Sequence, residues 1–174
     1  MAGNTAVVRM PLEDWEIKAL IEACQTPEEY LIIVVLLDTG MRISEWVALR
    51  RENIYADRGI ITFPSLKKRE RKLRQVAMTP DVQRLLVAYF NENEAVIGSR
   101  FVWYRRVKAV ASRAGIVRMC SPHVLRHSFA VTSLRKGVNI RSVQEAMGHA
   151  SLAETEKYLV FTEDRAADDF RRRQ

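Results

Sequence analysis

The longest unbroken apolar run, Leu31 to Leu37, lies inside a segment punctuated as a helix. Thr26-Pro27-Glu28-Glu29 reads as an N-cap, a proline at the first helical position and acids near the positive helix end. The helix is predicted to run to about Thr39 and to stop at Gly40, which accepts the left-handed cap conformation. An earlier helix covers Glu13 to Ala23, and a short one runs from Ile43 to Leu49. Tyr55-Ala56-Asp57-Arg58-Gly59 reads as a turn, Ile60 to Phe63 as a strand and Gln75 to Met78 as its return partner. Lys67-Lys68-Arg69-Glu70-Arg71-Lys72 between them is too charged for a core and reads as a hairpin tip. Further helices are predicted from Thr79-Pro80-Asp81 to Asn91, from Phe101 to Ala114 before Gly115, from Ser121-Pro122 to Gly137, and from the Asn139 cap to Gly148. Leu152 to Val160 and Glu163 to Arg172 also read as helical. The expected fold class is mainly α with a small antiparallel β-sheet (α+β), without internal repeats, linkers or low-complexity tracts.

Composition narrows the function classes. The 174 residues suit one domain, and 48% hydrophobic content suffices for a core. The apolar run of seven residues falls far short of the roughly 20 that cross a bilayer. No N-terminal stretch joins basic residues, an apolar block and a cleavage site, so the expectation is a soluble, cytoplasmic protein. The formal charge of +7 suits a polyanionic partner, DNA or RNA before a membrane surface. Cys24 and Cys120 make no disulfide framework and read as inert thiols.

Candidate chemistry gathers towards the C-terminus. His123, His127 and His149 fall within 27 residues, and Tyr158 lies nine residues beyond the last. His123 and Arg126 are three apart on a predicted helix and share a face. Arg42 follows Gly40-Met41 at an element boundary. These residue types suit phosphodiester chemistry without a metal. Two arginines clamp non-bridging phosphate oxygens bidentately and offset charge in the transition state. Imidazoles donate hydrogen bonds or move a proton near neutral pH, and a hairpin lysine reaches a leaving oxygen. A tyrosine attacks phosphorus, but its ordinary pKa of about 10 calls for activation by neighbouring cations and a base.

Thr39-Gly40-Met41-Arg42-Ile43-Ser44-Glu45 resembles the first arginine box of the tyrosine recombinases, the family of Xer proteins and lambda-type integrases. Pro122-His123-Val124-Leu125-Arg126-His127-Ser128-Phe129 resembles their His-x-x-Arg box. Met147-Gly148-His149-Ala150-Ser151, with Thr155 and Tyr158, resembles their Gly-His and nucleophile segment. The resemblance covers Pro11 to Tyr158 in order. It implies that Arg42 and Arg126 hold a scissile phosphate in double-stranded DNA, and that Tyr158 attacks it, leaving a 3′-phosphotyrosine. His123 would act as acid/base, His149 would hydrogen-bond the phosphate, and Glu45 would support the site from behind. A hairpin lysine would protonate the leaving oxygen. Where many members carry Gly-Lys-Gly, this chain has Ser65-Leu66-Lys67-Lys68-Arg69; the offset from the preceding strand favours Lys67, with Lys68 as the alternative. Lys68, Arg69, Arg71 and Lys72 would contact DNA. No ATP, metal or other cofactor is implied, and the family works as a DNA-bound tetramer. The implied organisation is an N-terminal lead over 1–10, a catalytic domain over 11–160 and a C-terminal tail helix over 161–174 packing on a neighbouring subunit. Most members also carry an N-terminal helical domain that completes a clamp around DNA.

Plainer readings stand beside these. His127 reads as a structural histidine beside the site, Trp46, Trp103 and Phe129 as core anchors, and the Lys67 to Arg74 run as a solvated hairpin. Cys120, His123, His127 and His149 are chemically plausible zinc ligands. That reading leaves Arg42, Arg126 and Tyr158 unexplained, and Val124 stands where a zinc protease has its glutamate. A DNA-binding regulator that kept the fold without the chemistry, and a type IB topoisomerase, are the remaining alternatives.

Overall fold

The structure, a computed structural model, describes residues 10–63 and 74–162. Eight helices follow in order among them: α1 (Asp14–Glu22), α2 (Pro27–Thr39), α3 (Ile43–Ala48), α4 (Pro80–Glu92), α5 (Arg100–Arg113), α6 (Pro122–Arg135), α7 (Ile140–Met147) and α8 (Ala153–Glu156). A three-stranded antiparallel sheet, β1 (Ile54–Tyr55), β2 (Ile60–Phe63) and β3 (Arg74–Ala77), stands between α3 and α4 in the order β1-β2-β3. The mainly α architecture with one small antiparallel sheet is as expected from the sequence.

Helix α2 organises the main core because it is apolar on nearly every side. Leu31, Ile32, Ile33, Val35 and Leu36 are buried, and the helix packs against α1, α4, α5 and α6. Its start is fixed by the Thr26 side chain, which accepts a hydrogen bond from Glu29 N at 3.2 Å, with Pro27 in the first turn. Trp46 and Trp103 anchor the same core as an edge-to-face pair with centroids 5.2 Å apart. A second, smaller cluster gathers Ala130, Val131, Leu134, Val143, Met147 and Tyr158 around the C-terminal part of α6. Phe129, expected as a core anchor, is only partly buried against this second cluster.

Two elements differ from the sequence reading. Strand β1 escapes periodicity because two residues carry no alternation to detect. The helix expected over Leu152 to Val160 is interrupted: α8 ends at Glu156, and a 3₁₀ turn covers Leu159–Thr162. Hydrogen bonds from Tyr158 N to Thr155 O and from Phe161 N to Tyr158 O, each three residues back, replace the four-residue ladder. This tightening brings the Tyr158 ring into the second cluster. The expected helix over Glu163 to Arg172, the hairpin tip Lys67 to Lys72 and all but Met10 of the lead over 1–10 lie outside the described residues. Among the described residues no helix is long and apolar enough to cross a membrane.

Gly40 ends α2 with φ 60° and ψ 19°, and a Cβ added to it would fall well inside contact distance of the Phe129 ring of α6. A Cβ there meets both a backbone penalty and a ring that would have to shift. Gly40→Ala is expected to cost about 3 kcal/mol, the sum of those two effects. Urea denaturation checks this, and a wild-type midpoint in the variant would refute the close approach.

Candidate active site

Arg126 is the most deeply placed charge of the site, at 3% exposure. It projects from α6, and Nη1 donates to the Gly40 carbonyl while Nη2 donates to the Met147 carbonyl at 2.5 Å. Gly40 is the cap residue of α2, and Met147 is the last residue of α7. Helix C-termini carry unpaired carbonyls and partial negative charge, so two of them offset the desolvation of one buried guanidinium. Burial, followed by repulsion from Arg42, pushes Arg126 down to about 10, which leaves it cationic at neutral pH.

Arg42 occupies the N-cap of α3, two residues past Gly40. Its backbone N donates to Glu45 Oε2 at 2.6 Å, its Nη1 to Glu45 Oε1 at 3.1 Å, and its Nη2 to the Gly148 carbonyl at 3.5 Å. The two arginines predicted to act together therefore reach consecutive carbonyls, Met147 and Gly148, at the end of α7. Arg42 keeps 40% of its side chain exposed, whereas Glu45 keeps 8%. Glu45 thus lies on the sheltered side of Arg42, bonded to both its backbone and its guanidinium.

The same carboxylate receives a second arginine that the sequence reading left in a solvated charge run. Arg74 Nη2 donates to Glu45 Oε2 at 2.6 Å, and the Arg74 side chain is 12% exposed. Its guanidinium lies 4.4 Å from the centroid of the Phe63 ring, its cross-strand partner. Alternation along β3 carried the missed signal: Val76 is buried, and Arg74, two positions earlier, shares its face.

His149 follows Gly148, which caps α7 with φ 61°. His149 Nδ1 is 2.9 Å from Thr155 Oγ1, and Thr155 is fully buried. Burial, then the Arg126 charge, pushes the imidazole down to about 4, so the ring is neutral at pH 7. The Tyr158 ring stacks beside it at 6.2 Å and meets His127 edge-on at 5.1 Å. His127 in turn lies edge-on to His123, centroids 4.5 Å apart, with His123 exposed on the first turn of α6. Tyr158 is 6% exposed, and burial raises its phenol above the ordinary value while Arg126 and Arg42 pull it back. The structure thus brings Arg42, Glu45, His123, Arg126, His127, His149 and Tyr158 into one contiguous group. Lys67, Lys68, Arg69, Arg71 and Lys72 lie outside the described residues. Cys120 belongs to the main core, where burial pushes its thiol up to about 11. Among the described residues no three His, Cys, Asp or Glu side chains gather as a metal ion requires.

The helical domain with its one small antiparallel sheet has the tyrosine recombinase catalytic-domain fold, as comparison with solved structures shows. The solved catalytic domain of bacteriophage HP1 integrase has this fold, at TM-score 0.69 and 25% identity over 92% of this chain and 93% of that one. XerH site-specific recombinase, solved bound to difH substrate in a pre-cleavage complex, matches at TM-score 0.72 and 25% identity, covering 90% of this chain and 52% of that one. Tyrosine recombinase XerA of Pyrococcus furiosus is 34% identical over 168 residues, which is 87% of this chain and 57% of the relative. The chain belongs to the phage integrase family, whose model matches residues 11–165. It spans about half the length of the curated relatives it matches, from 57% of the first to 50% of the second.

The depressed His149 value has a pH signature. The unfolded chain takes up a proton on this ring near the ordinary histidine value of about 6.5, whereas the folded chain refuses it down to about 4. Stability associated with His149 is therefore full above pH 6.5 and declines as pH falls towards 4. Thermal midpoints measured across this range are expected to fall more steeply for wild type than for His149→Asn. Parallel curves would contradict the neutral, sheltered ring.

Proposed function

We propose that this chain is the catalytic domain of a site-specific DNA recombinase that cuts and rejoins double-stranded DNA through a 3′-phosphotyrosyl link to Tyr158. The supporting observation is the meeting of Arg42 and Arg126 at the end of α7, with the Tyr158 ring stacked on His149 beside them. Arg126 commits one N–H from each terminal nitrogen to a backbone carbonyl, and a guanidinium carries five. Its remaining donors and the half-exposed Arg42 fork suit the non-bridging oxygens of one phosphodiester.

In this reading the Tyr158 phenolic oxygen attacks phosphorus and the bond to the 5′-oxygen breaks. The phenol proton passes to a neighbouring base, with His123 as the acid/base. The leaving 5′-oxygen takes a proton from Lys67, or from Lys68 as the alternative. Rejoining runs the same step backwards, with a 5′-hydroxyl attacking and the phenol leaving. One phosphodiester is exchanged for another, so bond energy is kept and no nucleotide hydrolysis enters. His149 donates to the phosphate, and Glu45 and His127 hold the catalytic groups in place. Lys68, Arg69, Arg71 and Lys72 contact DNA phosphates. Residues 11–160 form the catalytic domain, with 1–10 as a lead and 161–174 as a tail packing on a neighbouring copy in a DNA-bound tetramer in the cytoplasm.

Trapping on nicked duplexes carrying the repeats that flank the gene tests this reading. Wild type is expected to give a denaturant-resistant protein–DNA adduct, and Tyr158→Phe none, with DNA binding largely retained. An adduct from Tyr158→Phe would remove the nucleophile assignment; no adduct from wild type would favour the regulator, and relaxation of supercoils without strand exchange the topoisomerase. Arg126→Lys is expected to lower the cleavage rate by about 10²–10³, since a point charge cannot reproduce two parallel donors. Near-normal cleavage would argue against the clamp. The logarithm of the binding constant is expected to fall linearly with the logarithm of salt concentration as phosphate contacts release counterions. A flat response would count against a DNA substrate.

A further inference from the structure

Arg74 is the buried charge that the mechanism above leaves unused. It departs β3 on the face towards α7, bonds Glu45 at 2.6 Å, and covers the Phe63 ring. A Cβ added at Gly148 would lie 3.0 Å from Arg74 Cδ and 3.2 Å from Nη1, so the turn that presents His149 rests directly on this side chain. Nη1 is buried there with no hydrogen-bond partner among the described residues. An unsatisfied N–H of a charged group is costly, and a stack on Phe63 alone does not offset it. A purely structural ring cover would be better served by an aliphatic side chain. The position carries a cation where burial opposes one: desolvation lowers the Arg74 pKa, against the raising effect of Glu45.

The electrostatics explain what a cation does there. Glu45 is shared by Arg42 and Arg74 and is buried between them. Without Arg74, the whole carboxylate charge would fall on Arg42, and the phosphate would meet a guanidinium already neutralised. With Arg74, three guanidiniums face one carboxylate and leave a strongly positive floor beneath the phosphate position.

We propose that Arg74 is a positioning residue for strand cleavage: it absorbs the Glu45 charge so that Arg42 remains available to phosphate, and it seats the Gly148–His149 turn against β3. The inference rests on the phosphodiester reading given above. It also ties β3 to the pocket, because Arg74 is the first residue of that strand.

The test uses the full chain on two nicked duplexes, one with an ordinary scissile phosphodiester and one with a neutral methylphosphonate there. Wild type, Arg74→Met and Arg74→Lys are compared by the rate of covalent adduct formation. A methylphosphonate develops less negative charge, so it depends less on the positive floor. Arg74→Met is expected to slow the diester by about 100-fold and the methylphosphonate by less than about 10-fold, with Arg74→Lys between wild type and Arg74→Met on the diester. Wild-type diester cleavage by Arg74→Met would overturn the inference. So would equal slowing on both substrates, which assigns the residue to holding the fold alone. Failure of the parent reading has a different signature, since wild type itself would then give no adduct on the diester.

Discussion

The site depends on one buried guanidinium that joins two helix ends. Arg126 donates to the Gly40 carbonyl at the end of α2 and to the Met147 carbonyl at the end of α7. Those helices belong to different packings: α2 is the centre of the main core, whereas Met147 of α7 belongs to the smaller cluster that holds Tyr158. Two residues past the first carbonyl stands Arg42, and two residues past the second stands His149. A single side chain thus sets the separation of the other two, and the glycines at both helix ends, each with positive φ, turn the chain sharply enough to present them. A buried ion of this kind is expensive to desolvate, and partial charges at helix C-termini are among the few backbone features that offset it.

The same cluster of cations acts in opposite senses on its two neutral neighbours. For His149, positive neighbours add to burial and keep the ring unprotonated. For Tyr158, they oppose burial and draw the phenol back towards ionisation. An imidazole and a phenol with adjacent rings are therefore held in different relations to their protons by one field. Glu45 trims that field from behind without reaching the exposed side of Arg42, where 40% of the side chain faces solvent.

Legibility in the sequence followed the range of the determining forces. The α2 cap, its proline and its terminal glycine are local signals, and the structure reproduces all three. Arg42, His123, Arg126, His149 and Tyr158 sit in short boxes that resemble those of a known family, so they could be singled out before any geometry, and the structure brings them into one group. Arg74 was not, because its burial comes from Phe63 across the strand and Glu45 on another element, while its sequence neighbours are a run of charges. The interruption before Tyr158 was equally hidden: apolar spacing from Leu152 to Val160 suits a helix, and only the tertiary pull of the second cluster tightens it. Phe129 looked like an ordinary core ring, yet its place is against Gly40, where it closes off the turn that leads to Arg42.

The contact between His149 Nδ1 and Thr155 Oγ1 commits one of the two ring nitrogens. A neutral imidazole has a single N–H, so the hydroxyl decides where it resides. When Thr155 gives its hydrogen to Nδ1, Nε2 must carry the ring proton and can only donate. When the hydroxyl rotates to accept instead, Nε2 bears a lone pair and repels any oxyanion. The tautomer offered to the pocket is thereby governed by one torsion of a threonine shielded from water, which gives a residue with no charge and no exposed surface a say in the polarity of its neighbour.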